Sequence, residues 1–90
     1  MKSKKRLFEA LTEFFQNDEY IKKGLKATGI SNETYGRKSC IYINTPNSIW
    51  RRNLTGYLGM KGFKVNHDYW PGSSTLEVEV SYFKGNQWDV

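Results

Sequence analysis

Apolar residues recur at helical spacing close to the start of the chain. Leu7, Leu11 and Phe14 are separated by four and three residues, and this spacing puts their side chains on one face of an α-helix. Ser3 is of a residue type that often caps a helix, because its hydroxyl accepts a hydrogen bond from the first turn. The sequence therefore predicts a helix that begins at Lys4.

The same apolar stripe continues to Ile21 and Leu25, but Asp18 interrupts it. Two interpretations fit this pattern. Either one long helix accepts a polar residue within its stripe, or the helix breaks at Asn17-Asp18 and restarts with Asp18 as its new cap. We favour the break. Gly29 suits the position just after the end of a helix, so it marks the end of the helical region.

The middle of the chain contains a polar turn, a strand and the start of another helix. Residues 31–38 are mostly polar and are predicted to form a turn. Residues 39–43 include β-branched and aromatic side chains, which predicts a short strand. Thr45 as N-cap, with Pro46 in the first helical position, then predicts the start of an amphipathic helix.

Two alternating segments near the C-terminus predict a β-hairpin. Residues 63–70 and 75–83 alternate between apolar and polar side chains, and residues 71–74 separate them as a turn. Pairing Trp70 with Thr75 brings apolar residues opposite one another along the whole ladder. We therefore predict an α+β fold: one N-terminal helix or two, a short strand, a second amphipathic helix and a C-terminal antiparallel β-hairpin.

This pairing makes a specific prediction about the faces of the hairpin. It places Val65 opposite Val80, and Asp68 opposite Glu77. Two facing carboxylates destabilise a ladder unless a cation lies between them. We interpret Asp68, Glu77 and Glu79 as a solvated acidic face, and we predict neither a metal site nor a cofactor.

Glycines in the second helix indicate a surface with a function. On a helical projection of residues 49–61, Gly56 and Gly59 fall on the polar side beside Arg52, where each glycine costs the helix about 1 kcal/mol relative to alanine. A strip without side chains allows close approach of a phosphate backbone or of a partner's main chain. Two alternatives remain: a helix that ends near Thr55, and a strip that packs against the N-terminal helix. The opposite arc, which we predict to be buried, comprises Ile49, Trp50, Leu54, Tyr57, Leu58 and Met60.

Composition limits the classes of protein to which the chain can belong. Its 90 residues fit one domain, 1–90, with a basic arm at 1–6 and a tail at 84–90. Cys40 is the single cysteine and His67 the single histidine, which excludes an internal disulfide and argues against a Cys/His zinc site. No apolar run has the length of a membrane span. We expect a cytoplasmic protein without catalytic activity.

Charge indicates an anionic partner, either nucleic acid or an acidic protein surface. The net charge is +5, and such an excess attracts anions. A helix followed at once by a β-hairpin, over residues 46–83, also resembles the recognition helix and wing of winged-helix DNA-binding domains. The resemblance implies that the start of this helix faces the major groove. Together with the basic arm, the predicted nucleic-acid-binding residues are Lys4, Lys5, Arg6, Arg51, Arg52, Asn53, Thr55 and Lys61.

We favour a small nucleic-acid-binding protein, a transcriptional or replication accessory, and keep one alternative. In the alternative, the chain binds and modulates a larger host or defence protein, like the small inhibitors that phages encode. Exposed tryptophans are common anchors of protein interfaces, and the bare strip of the second helix offers a surface for close contact. The predicted protein-interaction residues are Gly56, Gly59, Trp70 and Trp88.

Overall fold

The computed structural model describes residues 2–16, 25–26, 30–33, 36–66 and 72–84. Helices and strands in these residues form an α+β fold, which confirms the predicted class. The helices are α1 (Lys4–Phe15) and α2 (Ser48–Met60), and the strands are β1 (Leu25–Lys26), β2 (Ile30–Glu33), β3 (Gly36–Asn44), β4 (Lys64–Asn66) and β5 (Thr75–Ser81).

The strands form one antiparallel sheet around a central pair, β3 and β5. β4 adds to the other edge of β5, and both β1 and β2 pair with the free edge of β3. β3 contains the strand predicted at 39–43. Because side chains alternate along a strand, one face of the sheet is apolar and packs against the helices. The buried residues of this face are Ile41, Ile43, Val65, Leu76, Val78 and Val80.

The first helix follows the predicted spacing and ends early. The Oγ of Ser3 accepts a hydrogen bond of 3.2 Å from a backbone N–H of the first turn, as a capping serine does. Leu7 and Leu11 are fully buried in the core. α1 ends at Phe15, because Gln16 adopts a left-handed conformation with φ 56°. The favoured break is confirmed, and the predicted restart of the helix lies outside the described residues.

Two expectations for the segment 25–38 are wrong. Leu25, which the apolar stripe placed on a helix, pairs with β3 as part of β1. The predicted polar turn at 31–38 contains most of β2 and the first residues of β3, which pair with each other. Polar composition favours a turn, but strand pairing satisfies backbone groups whatever their side chains are. The helix end predicted at Gly29 lies outside the described residues.

The second helix begins two residues later than predicted. Asn47 is its N-cap, and its Oδ1 accepts hydrogen bonds of 3.0 Å from the N–H groups of Ile49 and Trp50. Thr45 is instead bound to the residue that precedes β5, because its N–H and its hydroxyl donate to the Ser74 carbonyl at 2.8 and 2.6 Å. An asparagine that reaches two N–H groups therefore replaces the predicted threonine cap.

The end of α2 explains the glycine that follows the helix. Gly62 has φ 90°, a conformation that residues with a side chain rarely adopt. The Phe63 N–H donates to the Leu58 carbonyl at 2.9 Å, and the Gly62 N–H donates to the carbonyl three residues earlier at 3.0 Å. These two bonds are the Schellman pattern of helix ends. Because α2 is continuous up to this point, the alternative in which it ends near Thr55 is wrong.

The C-terminal hairpin has the predicted faces but a different register. Val65 pairs with Val78 instead of Val80. A shift of two residues keeps every side chain on its face, since faces alternate with a period of two. Each residue of β4 therefore pairs with a residue of β5 two positions earlier than predicted. Gly72, just before β5, has φ 87°, a left-handed conformation that glycine adopts readily.

The observed register separates the acidic residues of the hairpin. Glu77 faces Asn66, so the predicted pairing of Glu77 with Asp68 is wrong, and Asp68 itself lies outside the described residues. Glu79 faces Lys64, whose Nζ lies 3.5 Å from its carboxylate. Glu79 is only 4% exposed, so the predicted solvated acidic face does not include it.

Candidate docking face on the second helix

One side of α2 faces the core and the other faces solvent. Leu54 and Leu58 are fully buried among the core residues. Arg51 is half-buried beside them, and its Nε donates a hydrogen bond of 2.7 Å to the Thr75 carbonyl. The solvent side, which we call the outer face of α2, consists of Ile49, Arg52, Asn53, Gly56, Gly59 and Met60.

Three apolar residues of α2 that were expected in the core are exposed. The exposed fraction is 65% for Ile49, 89% for Met60 and 41% for Trp50. The buried arc is narrower than predicted and is centred on Leu54 and Leu58, because the sheet covers only that side of the helix. Sequence reasoning missed the outward position of Ile49 and Met60. The available signal was their place at the margin of the arc, next to the glycine strip.

The two interior glycines of α2 are bare. A β-carbon at Gly56 or Gly59 would meet no atom of the described residues within 4 Å. The predicted exposure of these glycines is therefore confirmed, and the alternative in which the strip packs against α1 is wrong. Neither glycine is needed for a contact within the described part of the chain, although each weakens the helix by about 1 kcal/mol relative to alanine.

Aromatic rings fix the start of α2 against the end of α1. The Trp50 ring stacks on Phe15, with ring centres 5.9 Å apart, and meets the Phe14 ring edge-on at 6.0 Å. Phe14 also contacts the Tyr57 ring at 5.1 Å. Pairs of this geometry add stability beyond their buried area. The outer face of α2 is thereby held on a well-packed element, as precise binding sites are.

The predicted basic arm is part of the fold. The Lys2 carbonyl accepts a hydrogen bond of 2.9 Å from the Ser81 N–H, at the end of β5. Lys4 is only 8% exposed, and its Nζ lies 4.4 Å from the centre of the Phe83 ring. Contact with the face of an aromatic ring stabilises a cation. Residues 2–6 are therefore not a free segment, and Lys4 is directed into the fold rather than towards a partner.

Two residues predicted to face the major groove are bound within the fold instead. Arg51 bonds to the backbone of β5 through its Nε. The Thr55 hydroxyl donates to the Arg51 carbonyl at 2.8 Å, and both side chains are half-buried. Arg52 and Asn53 remain exposed on the outer face of α2. The structure therefore places Arg52 and Asn53 on the same face as the two glycines. Arg51 and Thr55 are not available to contact a partner in the way the sequence predicted.

Ion pairs surround a shallow pocket between α1 and the end of α2. Arg6 lies 3.7 Å from the Glu9 carboxylate, and Lys61 lies 3.3 Å from that of Glu13. The pocket has a volume of about 190 Å³, and both pairs line it. Exposed pairs of this kind contribute little to stability, but they offset the charge of two cations predicted to bind phosphate. Lys5 is also exposed on α1.

Two neighbours stabilise the charged form of Glu13. The Tyr57 hydroxyl is the largest single cause, the Lys61 ammonium acts through both hydrogen bonding and charge, and together they lower the pKa of Glu13. The Tyr57 hydroxyl is buried and has no hydrogen bond of normal geometry to any described residue, so its influence is that of a nearby O–H dipole. In return, the carboxylate raises the pKa of Lys61.

Substituting Tyr57→Phe is expected to raise the pKa of Glu13 towards its ordinary value of 4.5. Lys61→Met should raise it as well, because the ammonium also favours the charged carboxylate. Since folding lowers this pKa, the interaction stabilises the fold above the unfolded pKa and is lost as pH falls through the folded one. An NMR titration of the Glu13 carboxyl carbon measures both variants. An unchanged pKa in Tyr57→Phe would contradict the assigned cause.

Comparisons with known proteins leave the outer face of α2 as the basis for inferring a function. No protein-family model, curated protein or solved structure matches the chain, so the winged-helix arrangement stays a prediction.

Trp70 and Trp88 lie outside the described residues. Within the described ranges, no three His, Cys, Asp or Glu side chains are grouped as a metal site needs. Neither α1 nor α2 has the length and apolar character of a membrane-crossing helix.

Proposed function

We propose that the chain is a non-catalytic protein-binding module that docks on a larger protein through the outer face of α2. The supporting observation is the exposure of Ile49 (65%) and Met60 (89%) at the two ends of a helix face with two bare glycines. Burying apolar surface is favourable by about 25 cal/mol per Å². Exposed apolar helix faces are a common element of protein recognition.

The charge of α2 favours an acidic partner. α2 contains two arginines and no Asp or Glu, and the whole chain has a net charge of +5. Arg51 is bound to the sheet, whereas Arg52 is exposed on the outer face. An arginine beside an apolar contact favours a carboxylate on the partner, because its planar guanidinium binds two oxygens at once. The proposed partner surface is therefore apolar and flanked by acidic residues.

The same charge disfavours self-association through this face. In a symmetric dimer, the same patch of each subunit forms both sides of the contact. Each Arg52 would then need a carboxylate on the same face of the other copy, and α2 supplies no acid. The partner is therefore a different protein, which agrees with the modulator or inhibitor role considered from the sequence.

Nucleic-acid binding has less support from the predicted cations. Lys4 is buried and Arg51 is bound within the fold, while Arg6 and Lys61 lie beside carboxylates. The other two predicted cations are exposed, but they lie on different helices. Contacts between cations and phosphates supply most of the affinity for nucleic acid. A protein partner accounts better for the exposed apolar residues.

Two pairs of substitutions on different surfaces test this proposal. Ile49→Gln with Met60→Gln removes the apolar side chains from the outer face and preserves helix propensity and charge. Lys5→Gln with Arg6→Gln is the matched control and removes two exposed positive charges from α1. Each immobilised protein is offered nuclease-treated lysate. We expect the wild type and the α1 control to retain the same protein, and the α2 pair to lose it while keeping its circular dichroism spectrum.

Two results would contradict the proposal. One is retention of the same protein by the α2 pair. The other is binding to duplex DNA or RNA that falls steeply with salt and disappears in the α1 control, since such dependence reports phosphate contacts. The second result would support the nucleic-acid function instead.

A further inference from the structure

The two apolar side chains on the outer face of α2 limit what can lie between them. Ile49 and Met60 are eleven residues apart, which is about 16 Å along a helix that rises 1.5 Å per residue. Gly56 and Gly59 lie in this interval without a side chain. We call the interval the saddle: it has a large apolar side chain at each end, Arg52 and Asn53 in its first half, and the two bare glycines in its second half.

An α-helix matches the width of the saddle. With its side chains, a helix is about 10–12 Å across, so it fits between Ile49 and Met60 and contacts both. Two packed helices lie about 8–10 Å apart, depending on the side chains where they cross. A glycine at the crossing point places the partner near the short end of this range. The strip of glycines thus becomes useful when a second helix lies on it.

Backbone hydrogen bonding also favours a helix over an extended segment. An extended peptide needs partners for its N–H and C=O groups when it is buried. The backbone of α2 offers none, because its own groups are paired within the helix, and the outer face supplies only the polar side chains of Arg52 and Asn53. A helix satisfies its backbone internally, so it can dock on this face with side chains alone.

We infer that the partner presents an α-helix that crosses α2 over Gly56. Its apolar side chains contact Ile49 and Met60, and a carboxylate on its flank binds Arg52. This inference rests on the proposed docking face and specifies the element that occupies it. Asn53 lies exposed within the saddle and can hydrogen-bond to polar side chains of the crossing helix.

Two pools of displayed peptides provide a defined probe of this geometry. Both consist of Leu, Ala, Glu and Gln in the same proportions and are about 20 residues long, enough to form a helix. One pool repeats apolar residues with helical periodicity, and the other alternates apolar and polar residues as a strand does. Both are selected on the full chain, with the Ile49→Gln and Met60→Gln double variant in solution to remove peptides that bind elsewhere.

We expect binders from the helical pool alone. Gly56→Leu adds a side chain at the crossing point and is expected to raise the dissociation constant of these peptides by about tenfold or more. A β-carbon at this position meets no atom of the described residues within 4 Å, so we expect the fold to be retained, and circular dichroism checks this. Lys5→Leu places the same side chain on the exposed surface of α1 and should leave the dissociation constant unchanged.

Three results would overturn the crossing helix: binders from the alternating pool, equal binding by Gly56→Leu, or no binder from either pool. The inference and the proposed function fail differently. If the captured protein still requires Ile49 and Met60 but tolerates Gly56→Leu, the docking face stands and the crossing helix is wrong. If capture is indifferent to all three positions, both are wrong.

Discussion

Replacing Leu58 by alanine is expected to lower the free energy of unfolding by about 2–5 kcal/mol, the range for buried leucines. Leu58 is fully buried in the core. Protein interiors are close-packed, so the truncated side chain leaves a cavity that its neighbours fill only in part. Urea unfolding measures the effect, and we expect the midpoint to fall without a change in slope.

Met60→Ala on the same helix is the matched control for this prediction. Met60 is 89% exposed, so its truncation is expected to change the free energy of unfolding by no more than about 0.5 kcal/mol. Equal losses at positions 58 and 60 would contradict the assignment of an inner and an outer face to α2.

Replacing Gly56 and Gly59 together by alanine is expected to have the opposite effect and stabilise the protein by about 1–2 kcal/mol. An exposed glycine in a helix costs up to about 1 kcal/mol relative to alanine, and the cost is smaller for Gly59 because it lies in the last turn. The added β-carbons meet no atom of the described residues within 4 Å. Urea unfolding and the thermal midpoint both report the gain.

Gly62→Ala is the control for the double glycine variant. Gly62 has φ 90°, and a β-carbon there would lie 2.9 Å from Cε of Lys2, so this substitution is expected to destabilise the fold. A loss of stability in the Gly56 and Gly59 variant would mean that these positions have a role within the isolated chain. If that variant is more stable yet binds its partner less well, the glycines act in the complex.

Periodicity was sufficient to predict the inner layer of the fold. The helical repeat at the start of the chain puts Leu7 and Leu11 on one face, and both reach the core as expected, although Leu25 of the same stripe lies in a strand. Alternation in the hairpin works similarly, because a shift of register by two residues leaves Val78 and Val80 on the same face. These predictions depend on the chain's own geometry and little on distant contacts.

Features set by distant partners could not be predicted in the same way. Thr45 is also of a residue type that caps helices, but its hydroxyl donates to the Ser74 carbonyl, 29 residues away in the chain. The sequence predicts Lys4 as part of a basic arm, because nothing near it in the chain shows that its ammonium group contacts the ring of Phe83. β1 and β2 are strands because an edge of β3 is available to them, whatever their own composition.

The candidate site was predictable in part. The exposure of Gly56 and Gly59 follows from the helical projection, since both lie opposite the apolar arc. The exposure of Ile49 and Met60 does not, because a projection cannot tell how wide an arc the sheet covers. The function inferred from charge and from the resemblance to winged-helix domains therefore favoured nucleic acid, whereas the exposed apolar residues favour a protein partner.

The dissociation constant of the complex with the captured protein is the most direct test of the docking face. It should be measured for the wild type, for the Ile49→Gln and Met60→Gln pair, and for the Lys5→Gln and Arg6→Gln pair. We predict that the α2 pair raises the constant by about tenfold or more and that the α1 pair leaves it unchanged. The reverse order, with loss of affinity in the α1 pair alone, would contradict the account.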